Sequence, residues 1–363
     1  MNKRFIGLFL AALFAAGITG CGNTAKEDES GEVFIIEDKG EHIVSAYEEV
    51  QEEVLSAAKV SVPDFGVWYP YWDYDTATAE LDNYGARVNT VCFFAAYYDV
   101  NNKAFIPEDT RNTFAQLNAS GRLGGKNTYL TFVNDKLLNQ GSSLKDTALL
   151  YELIGDRERA AAHADEIISL TRGLGCQGIE IDYEAIKKDA ALWGLFNSFV
   201  DILSEKAGAQ GMPLRIVFEP SAPVSEYSWS SYPEYVMMCY NLHGYGTAPG
   251  PKADNEWLRS LCERMNALPG TVNMAFANGG FDFSANGDVK QIDYRDAKAL
   301  LSAHSSTAQR DPASAAMYFA YTDENGTGHE VWYADEETIT TWTGVVRDCG
   351  ISRVTVWRLG GNI

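Results

Sequence analysis

Positively charged residues are scarce in this chain of 363 residues. Lys and Arg together number 29, against 50 Asp and Glu, which leaves a formal net charge of -21 at pH 7. Nucleic-acid-binding surfaces need Lys and Arg to neutralise phosphates. The charge balance therefore argues against nucleic acid as a partner, and it disfavours adsorption to an anionic surface.

Histidine and cysteine are also few, with 5 and 6 residues. The sequence has no C-x-x-C pair and no cysteine with a histidine partner at metal-ligand spacing. Structural zinc sites and disulfide frameworks both depend on organised cysteines. We therefore expect no metal, no other cofactor and no disulfide framework. The scattered cysteines beyond the N-terminal region are Cys92, Cys176, Cys239, Cys262 and Cys349.

Long apolar runs are missing after the N-terminus. The chain begins with the basic "MNKR" and continues with "FIGLFLAALFAAG", which is too short for a comfortable transmembrane span. The following "ITGC", which ends at Cys21, resembles the lipobox of bacterial lipoproteins. The resemblance implies cleavage before Cys21 and lipidation of its thiol. The alternative is an ordinary secretory signal with a chance cysteine.

The N-terminal pattern predicts three segments. Residues 1–20 are a lipoprotein signal peptide, residues 21–60 are a polar, acidic tether, and residues 61–363 are one folded domain. The predicted location is the extracytoplasmic bacterial cell surface. The lipid anchor is the only expected membrane contact, and we expect a monomer.

A glycine-rich phosphate loop is also absent after the first predicted strand. This weakens a doubly wound, dinucleotide-binding sheet, which is the main structural alternative. The rest of the chain alternates short runs of β-branched and aromatic residues with amphipathic helical patterns. Eight such runs over roughly 300 residues predict a (β/α)8 TIM barrel. The runs are "FGVWYPY", "VNTVCFFAAYY", "NTYLTFVN", "GIEIDYE", "LRIVFEP", "YVMMCYNL", "VNMAFAN" and "VTVWRLG".

A small insertion is expected between the seventh and eighth strands. The segment "AAMYFAYTDENGTGHEVWYAD" contains two aromatic runs around an Asn-Gly turn. This pattern is typical of a β-hairpin.

Three acidic residues alternate with apolar ones in the fourth predicted strand. Glu180, Asp182 and Glu184 fall on one strand face, about 6.5–7 Å apart. In a barrel this face points inward, and Glu184 lies nearest the C-terminal mouth, where active sites sit. Close buried carboxylates cannot all be ionised, so one of them should keep a proton, as general-acid chemistry requires. The alternatives are a structural cluster satisfied by inward Arg, Tyr or Asn, and a metal-binding acidic cluster.

The acidic strand resembles the D-x-x-D-x-D-x-E strand of glycoside hydrolase family 18, the chitinase-like enzymes. In that resemblance Glu184 matches the catalytic acid/base and Asp182 matches the aspartate that assists it. Glu180 stands where the family usually has Asp, and Gln177 where it often has Asp. These departures affect the expected tuning of the pKa values, not the reaction class.

Two further motifs carry the same resemblance. "MMCYNLHG" is similar to the sixth-strand M-x-Y-D pattern, which implies that Tyr240 bonds the substrate's acetamido carbonyl. Met238 and Asn241 occupy neighbouring positions of that pattern, with Asn241 in place of Asp. "VTVWRLGG" places Trp357 where the family has a sugar-stacking tryptophan. The opening "GVWYPYWDY", with Trp68, resembles the first strand of the bacterial cell-wall and spore-cortex branch.

The resemblance implies a retaining glycosidase that acts on β-linked N-acetylglucosamine glycans. Catalysis would be substrate-assisted, through an oxazolinium ring, with no metal or cofactor. The expected substrate-binding residues are Glu180, Asn241, Met238, Trp357 and Trp68. The glycan is a chitin fragment, peptidoglycan or an N-glycan core. The alternatives are a non-catalytic carbohydrate-binding surface lipoprotein on the same fold and a purely structural envelope protein.

Overall fold

The computed structural model describes residues 64–361, and eight parallel strands form a closed barrel within this range. Strand 1 pairs with strands 8 and 2, and strand 2 also pairs with strand 3, which closes the circle. This confirms the predicted TIM barrel. The strands are β1 (Asp64–Pro70), β2 (Thr90–Tyr98), β3 (Asn127–Leu137), β4 (Gly178–Asp182), β5 (Leu214–Phe218), β6 (Glu234–Met238), β7 (Thr271–Ala277) and β8 (Arg353–Trp357).

Helices cover the outside of the barrel between most strands, while residues 219–233 join β5 to β6 as a loop. An aspartate caps six of these helices by accepting a backbone N–H from the first turn. The helices are α1 (Tyr74–Tyr84), α2 (Glu108–Ala119), α3 (Thr147–Ile154), α4 (Arg157–Leu174), α5 (Ala190–Gly208), α6 (Asn255–Met265), α7 (Tyr294–Ala303) and α8 (Glu336–Asp348). A 3-10 turn, Tyr71–Asp73, precedes α1.

The insertion between β7 and β8 is larger than a hairpin. The predicted hairpin is present as Met317–Thr322 paired with Gly328–Ala334. It belongs to a five-stranded antiparallel sheet that also contains Gly279–Ser284, Val289–Ile292 and Gln309–Arg310, with α7 beside it. Two short strands, Ala104–Phe105 and Ser142–Ser143, extend the main sheet at β2 and β3. The additional insertion strands carry weaker apolar patterns, so the hairpin gave the clearest signal.

The two faces of β4 separate the outer core from the barrel interior. Ile179 and Ile181 belong to the large apolar cluster between the strands and the helices. Glu180 faces the interior, where it contacts side chains of four other strands. The alternation of faces predicted for this strand is therefore present over Gly178–Asp182.

Of the helices within residues 64–361, none is long and apolar enough to cross a membrane. The five cysteines in this range are free thiols. The predicted signal peptide, the tether and the lipidation of Cys21 lie outside the described residues, so they stay predictions.

Lys252 packs where the loop after β6 meets the insertion. Its amine is buried, donates to the Asn278 carbonyl at 2.8 Å and lies 5.3 Å from the centre of the Phe281 ring. Burial, with a smaller contribution from the positive charge of Arg358, lowers the pKa of Lys252 from 10.5 to about 7.

This lowered pKa predicts a pH-dependent stability. Between about pH 7 and 10 the unfolded chain holds a lysine proton that the folded chain lacks, so the free energy of unfolding rises with pH, by up to ~1.4 kcal/mol per pH unit. Lys252→Met should remove this contribution and raise stability most below pH 7. Urea unfolding of both proteins from pH 6 to 9 measures the difference. Parallel curves for the two proteins would contradict the prediction.

Candidate active site

The three acidic residues become more accessible toward the barrel mouth. Glu180 is fully buried and Asp182 is 5% exposed, whereas the Glu184 side chain is 19% exposed. Strand β4 ends at Asp182, so Glu184 lies in the following loop and not on the strand as the sequence predicted. Asn134, at the end of β3, fixes this loop because its side chain bonds both the N–H and the C=O of Glu184, at 2.9 and 3.1 Å.

Glu180 is fully buried in the interior of the barrel, where its carboxylate bonds side chains of other strands. Its Oε1 accepts hydrogen bonds from Trp68 Nε1 at 2.6 Å and Thr131 Oγ1 at 2.7 Å. Its Oε2 accepts one from Arg215 Nε at 2.8 Å, and it also bonds the Cys92 thiol. Glu180 is fully buried and its hydrogen bonds go to these four residues, while its expected role in substrate binding stays a prediction. For Glu180, the contact with Arg215 fits the alternative of a structural cluster satisfied by an inward Arg.

Asp182 is the buried carboxyl group beside Glu184. Burial raises its pKa well above the usual range, and the charges of Glu184 and Glu180 add to the rise. Its Oδ1 is buried without a hydrogen-bond partner. An ionised carboxylate in such a position would lack compensation for its lost hydration, so the neutral form is preferred. The direction of this pKa shift favours Asp182 as a residue that keeps a proton, as the sequence predicted for at least one of the three.

Glu184 presents its carboxylate at the mouth against a lysine. Lys145 Nζ donates to Glu184 Oε2 at 2.5 Å. Burial raises the pKa of Glu184, the Lys145 cation opposes the rise, and the charges of Glu219 and Asp135 add to it. Glu219, just past β5, accepts the N–H of Ala185 at 2.8 Å and so fixes the residue after Glu184. The site thus combines one accessible carboxyl group with one buried carboxyl group whose pKa is raised.

Lys145 and Arg215 were both missed from the sequence. Arg215 interrupts an otherwise apolar run, "LRIVF", at an inward position of β5, and this was a readable signal. Lys145 lies in the loop after β3, where no periodic pattern marks it. Loop side chains converge on a barrel mouth through folding of the loop itself, which short sequence patterns do not encode.

The residues after β6 line another side of the mouth. Burial raises the pKa of Tyr240 well above its usual range, and the nearby Asp182 and Glu184 charges add to this, so its hydroxyl remains a hydrogen-bond donor. Asn241 is exposed and has a φ of 65°, a left-handed conformation that Asn tolerates better than most residues. Met238 is only 5% exposed and packs inside the barrel, and its expected contact with substrate stays a prediction.

Trp357 gives the mouth a partly exposed aromatic face at the end of β8. Its ring centre lies 4.8 Å from that of Phe94 and 5.9 Å from that of Trp68, both in edge contacts. Trp68 itself is 1% exposed, so its ring is covered in this structure, and its expected substrate contact stays a prediction. Trp72 is 49% exposed, and the Arg358 guanidinium lies over its ring.

Within residues 64–361, no group of three or more His, Cys, Asp or Glu side chains is arranged to hold a metal ion. The carboxylates of the site instead pair with protein groups: Glu180 with Arg215, and Glu184 with Lys145. The arrangement can support proton transfer at Glu184, beside a buried carboxyl group of raised pKa and a phenol donor.

No known protein-family model matches the chain. It is similar to an uncharacterized glycosylase, YvbX, of Bacillus subtilis, with 24% identity over 230 residues that cover 60% of this chain and 67% of that protein. It is also similar to a cortical fragment-lytic enzyme of Bacillus anthracis, with 27% identity over 171 residues and 46% of this chain. Among solved structures, a chitinase from Chromobacterium violaceum has a TM-score of 0.71, with 16% identity over 83% of this chain and 95% of the chitinase.

The match covers 32% of the cortical fragment-lytic enzyme, about a third of its length. The likeness to the chitinase concerns the fold, because the sequence identity is low. The chain therefore shares its barrel with a chitinase and is similar in sequence to proteins named as a glycosylase and a cortex-lytic enzyme.

Proposed function

We propose that this protein is a chitinase-like glycoside hydrolase that cleaves β-linked N-acetylglucosamine glycans with retention of configuration. The observation that carries the proposal is the pair at the end of β4: an accessible Glu184 carboxyl next to a buried Asp182 whose pKa is strongly raised. Perturbed carboxyl groups paired in a cleft are typical of acid/base sites. The similarity to glycosylases and to a chitinase supports the same reaction class.

In the first step Glu184 gives its proton to the glycosidic oxygen, and the bond from that oxygen to the anomeric carbon breaks. The acetamido carbonyl oxygen of the same sugar forms a new bond to the anomeric carbon, which produces a positively charged oxazolinium ring. Water then attacks this carbon, Glu184 takes the proton of the water, and the ring opens. Two inversions at one carbon give net retention.

The neighbouring side chains supply orientation and charge. Asp182 accepts the acetamido N–H as the ring forms, and its proton is free to pass toward Glu184 as charge develops. Tyr240 donates its hydroxyl to the acetamido oxygen and aligns it for attack. Trp357 offers its exposed ring face to the sugar, since aromatic rings bind the apolar faces of sugars through packing contacts.

The place of action follows from the same relatives. The similarity to a cortical fragment-lytic enzyme supports action on cell-wall glycan outside the cytoplasm. Lipidation of Cys21 would hold the barrel at the membrane, with residues 21–60 as the tether. We propose that the protein acts there as a monomer.

Hydrolysis of a chromogenic chitobioside by the barrel domain, residues 61–363, is the direct test. We expect release of the chromophore, and we expect a thiazoline analogue of the oxazolinium ring to inhibit it competitively, because such an analogue copies the cyclised intermediate. An active preparation that the thiazoline fails to inhibit would refute substrate assistance. Binding of several β-linked N-acetylglucosamine ligands without release of product would instead indicate a carbohydrate-binding protein.

A further inference from the structure

Two tyrosine hydroxyls and a histidine ring form a buried, hydrogen-bonded triangle behind the acidic strand. The hydroxyl oxygens of Tyr98 and Tyr183 lie 2.6 Å apart, and His163 Nε2 lies 3.0 Å from the first and 2.7 Å from the second. Each of the three side chains is buried. None of them takes part in the proposed reaction, so another reason must account for a polar cluster in the outer core.

The hydrogen bonds of the triangle fit one tautomer of the histidine. His163 Nδ1 lies 3.4 Å from Glu166 Oε2, and a carboxylate oxygen accepts, so the ring proton is assigned to Nδ1. Nε2 then accepts from one tyrosine hydroxyl, which accepts in turn from the other. Burial lowers the pKa of His163 and raises the pKa of both tyrosines, which favours the uncharged form of all three rings.

The triangle joins two strands that are not neighbours in the barrel. Tyr98 is the last residue of β2 and Tyr183 directly follows β4, while β3 lies between these strands. Both tyrosines belong to the apolar cluster between strands and helices, so their hydroxyls meet behind β3. His163 comes from α4, and its ring stacks on Phe199 of α5 with 5.4 Å between the ring centres. The C-terminal ends of β2 and β4 are thus tied to each other and to two helices.

Tyr183 stands between the two carboxyl groups of the proposed reaction. Side chains alternate along a strand, so a Tyr183 ring fixed in the outer core directs Asp182 and Glu184 to the other side of the chain. The pairing of β4 with β3 ends at Asp182. Beyond it, side-chain hydrogen bonds hold the backbone of Glu184 and of the following residue. For Tyr183, the triangle supplies the anchor that strand pairing no longer gives.

We propose that Tyr98 and His163 are positioning residues, which hold Tyr183 and thereby set the distance between the Asp182 and Glu184 carboxyl groups. The inference rests on the proposed function, since it concerns the acid of the same reaction. Both residues are buried in the outer core and act through the ring of Tyr183.

The placement of the two carboxyl groups controls how readily Glu184 keeps a proton. Burial raises the pKa of Glu184, and the charge of Glu184 adds to the rise at Asp182. If Tyr183 loosens, water reaches the carboxyl groups and the pKa of Glu184 should fall. A general acid works while it is protonated, so the alkaline limit of activity should then move to lower pH. Further titratable groups that interact with this pair are Lys145, Asp135, Glu180, Glu219 and Tyr240.

The first test is Tyr98→Phe, which removes one hydroxyl from the triangle at a residue 85 positions away from Tyr183. We expect kcat on a chitobioside to fall about tenfold or more and KM to change less than about threefold, because a small misplacement of reacting groups is costly. The alkaline limb of kcat/KM should move to lower pH by about half a pH unit or more. Tyr183→Phe should act in the same way, and the double variant should lose little more than either alone, because each change breaks one hydrogen-bonded unit.

The matched control is Tyr235→Phe. Tyr235 is a fully buried tyrosine of β6 in the same outer core, and its hydroxyl donates to the Ser230 carbonyl at 2.6 Å. Ser230 precedes β6, so this bond lies at the end of the barrel opposite the mouth. Each substitution removes one buried hydroxyl, so the losses of stability in urea should be similar. For Tyr235→Phe, kcat and the pH profile should stay those of wild type.

A second measurement needs no turnover. NMR of isotope-labelled Asp and Glu carboxyl carbons follows the titration of Glu184, whose signal is identified by its loss in Glu184→Gln. We expect the midpoint of this titration to move to lower pH in Tyr98→Phe and to stay in place in Tyr235→Phe.

The outcomes separate this inference from the proposed function. If Tyr98→Phe loses stability as Tyr235→Phe does, yet keeps the wild-type kcat, pH profile and carboxyl titration, the triangle serves the fold alone and the inference is overturned. If the wild-type protein hydrolyses no substrate, the proposed function fails, and the carboxyl titration still decides whether the triangle positions Glu184. Should Tyr98→Phe fail to fold, Tyr183→Phe tests the same pair of hydroxyls.

Discussion

Glu184→Gln should lower kcat/KM on substrates with a sugar leaving group by about 100- to 10,000-fold, the usual contribution of a general acid. The amide keeps the size of the side chain and can still accept a bond from Lys145, but it cannot release a proton to the glycosidic oxygen. The backbone of residue 184 remains bonded to Asn134, so the loop should keep its shape. Initial rates on a chitobioside series at pH 6–7 measure the loss.

Two comparisons make this loss specific to acid catalysis. An activated nitrophenyl leaving group needs little protonation, so its kcat/KM should fall much less than that of a sugar leaving group. Glu219→Gln replaces a neighbouring carboxyl group. In the part of the chain that the structure describes, this carboxyl group accepts a hydrogen bond from the Ala185 N–H alone. We expect kcat/KM to fall by less than about tenfold. Equal losses for Glu184→Gln on both kinds of leaving group would contradict the role of acid.

The barrel and the position of the site followed from sequence periodicity. Each predicted strand overlaps an observed one, because buried parallel strands read as short apolar runs, and glycine follows some of the intervening helices, as Gly175 does. The acidic alternation in "GIEID" stood out for the same reason: carboxylates on an inward face contradict the apolar pattern around them. Where local rules are broken, function or a buried ion pair is the usual cause.

The roles of the three carboxylates could not be read in the same way. The place of Glu184 nearest the mouth and the family resemblance singled it out, but the spacing of Glu180, Asp182 and Glu184 gave no partner for any of them. Arg215 comes from the next strand, and Lys145 lies 39 residues before Glu184 in the chain. Tertiary contacts determine these partners. They also determine whether the pKa of each carboxyl group is raised or lowered. The end of β4 before Glu184 was missed because strand boundaries depend on pairing with neighbours.

Arg215→Met should destabilise the fold by about 3–5 kcal/mol, the cost of leaving a buried charge without its partner. The guanidinium is 1% exposed and bonds Glu180, Glu234 and Thr355 at 2.8, 3.2 and 3.0 Å. It therefore links strands β4, β6 and β8 through the interior of the barrel. Removing it leaves the fully buried Glu180 without its cation. Urea unfolding at pH 7 measures the change.

The matched control is Arg87→Met at the surface. Arg87 pairs with Glu336, and both side chains are more than half exposed, so its loss should cost about 1 kcal/mol or less. The double variant Glu180→Gln/Arg215→Met should recover part of the stability lost in Arg215→Met, because it removes the stranded charge. A cost for Arg215→Met no greater than that for Arg87→Met would show that the buried pair is not required for the barrel.

The activity of the double variant then separates the two ends of the acidic strand. If Glu180 serves the barrel alone, a folded Glu180→Gln/Arg215→Met protein should keep kcat within about tenfold of wild type, since the loop that carries Glu184 retains its bonds to Asn134 and Glu219. Replacement of Glu180 would then change the stability of the fold, and replacement of Glu184 would change the turnover rate. A loss of turnover as large as that of Glu184→Gln would instead mean that the Glu180 charge helps to set the proton on Asp182, to whose raised pKa it contributes.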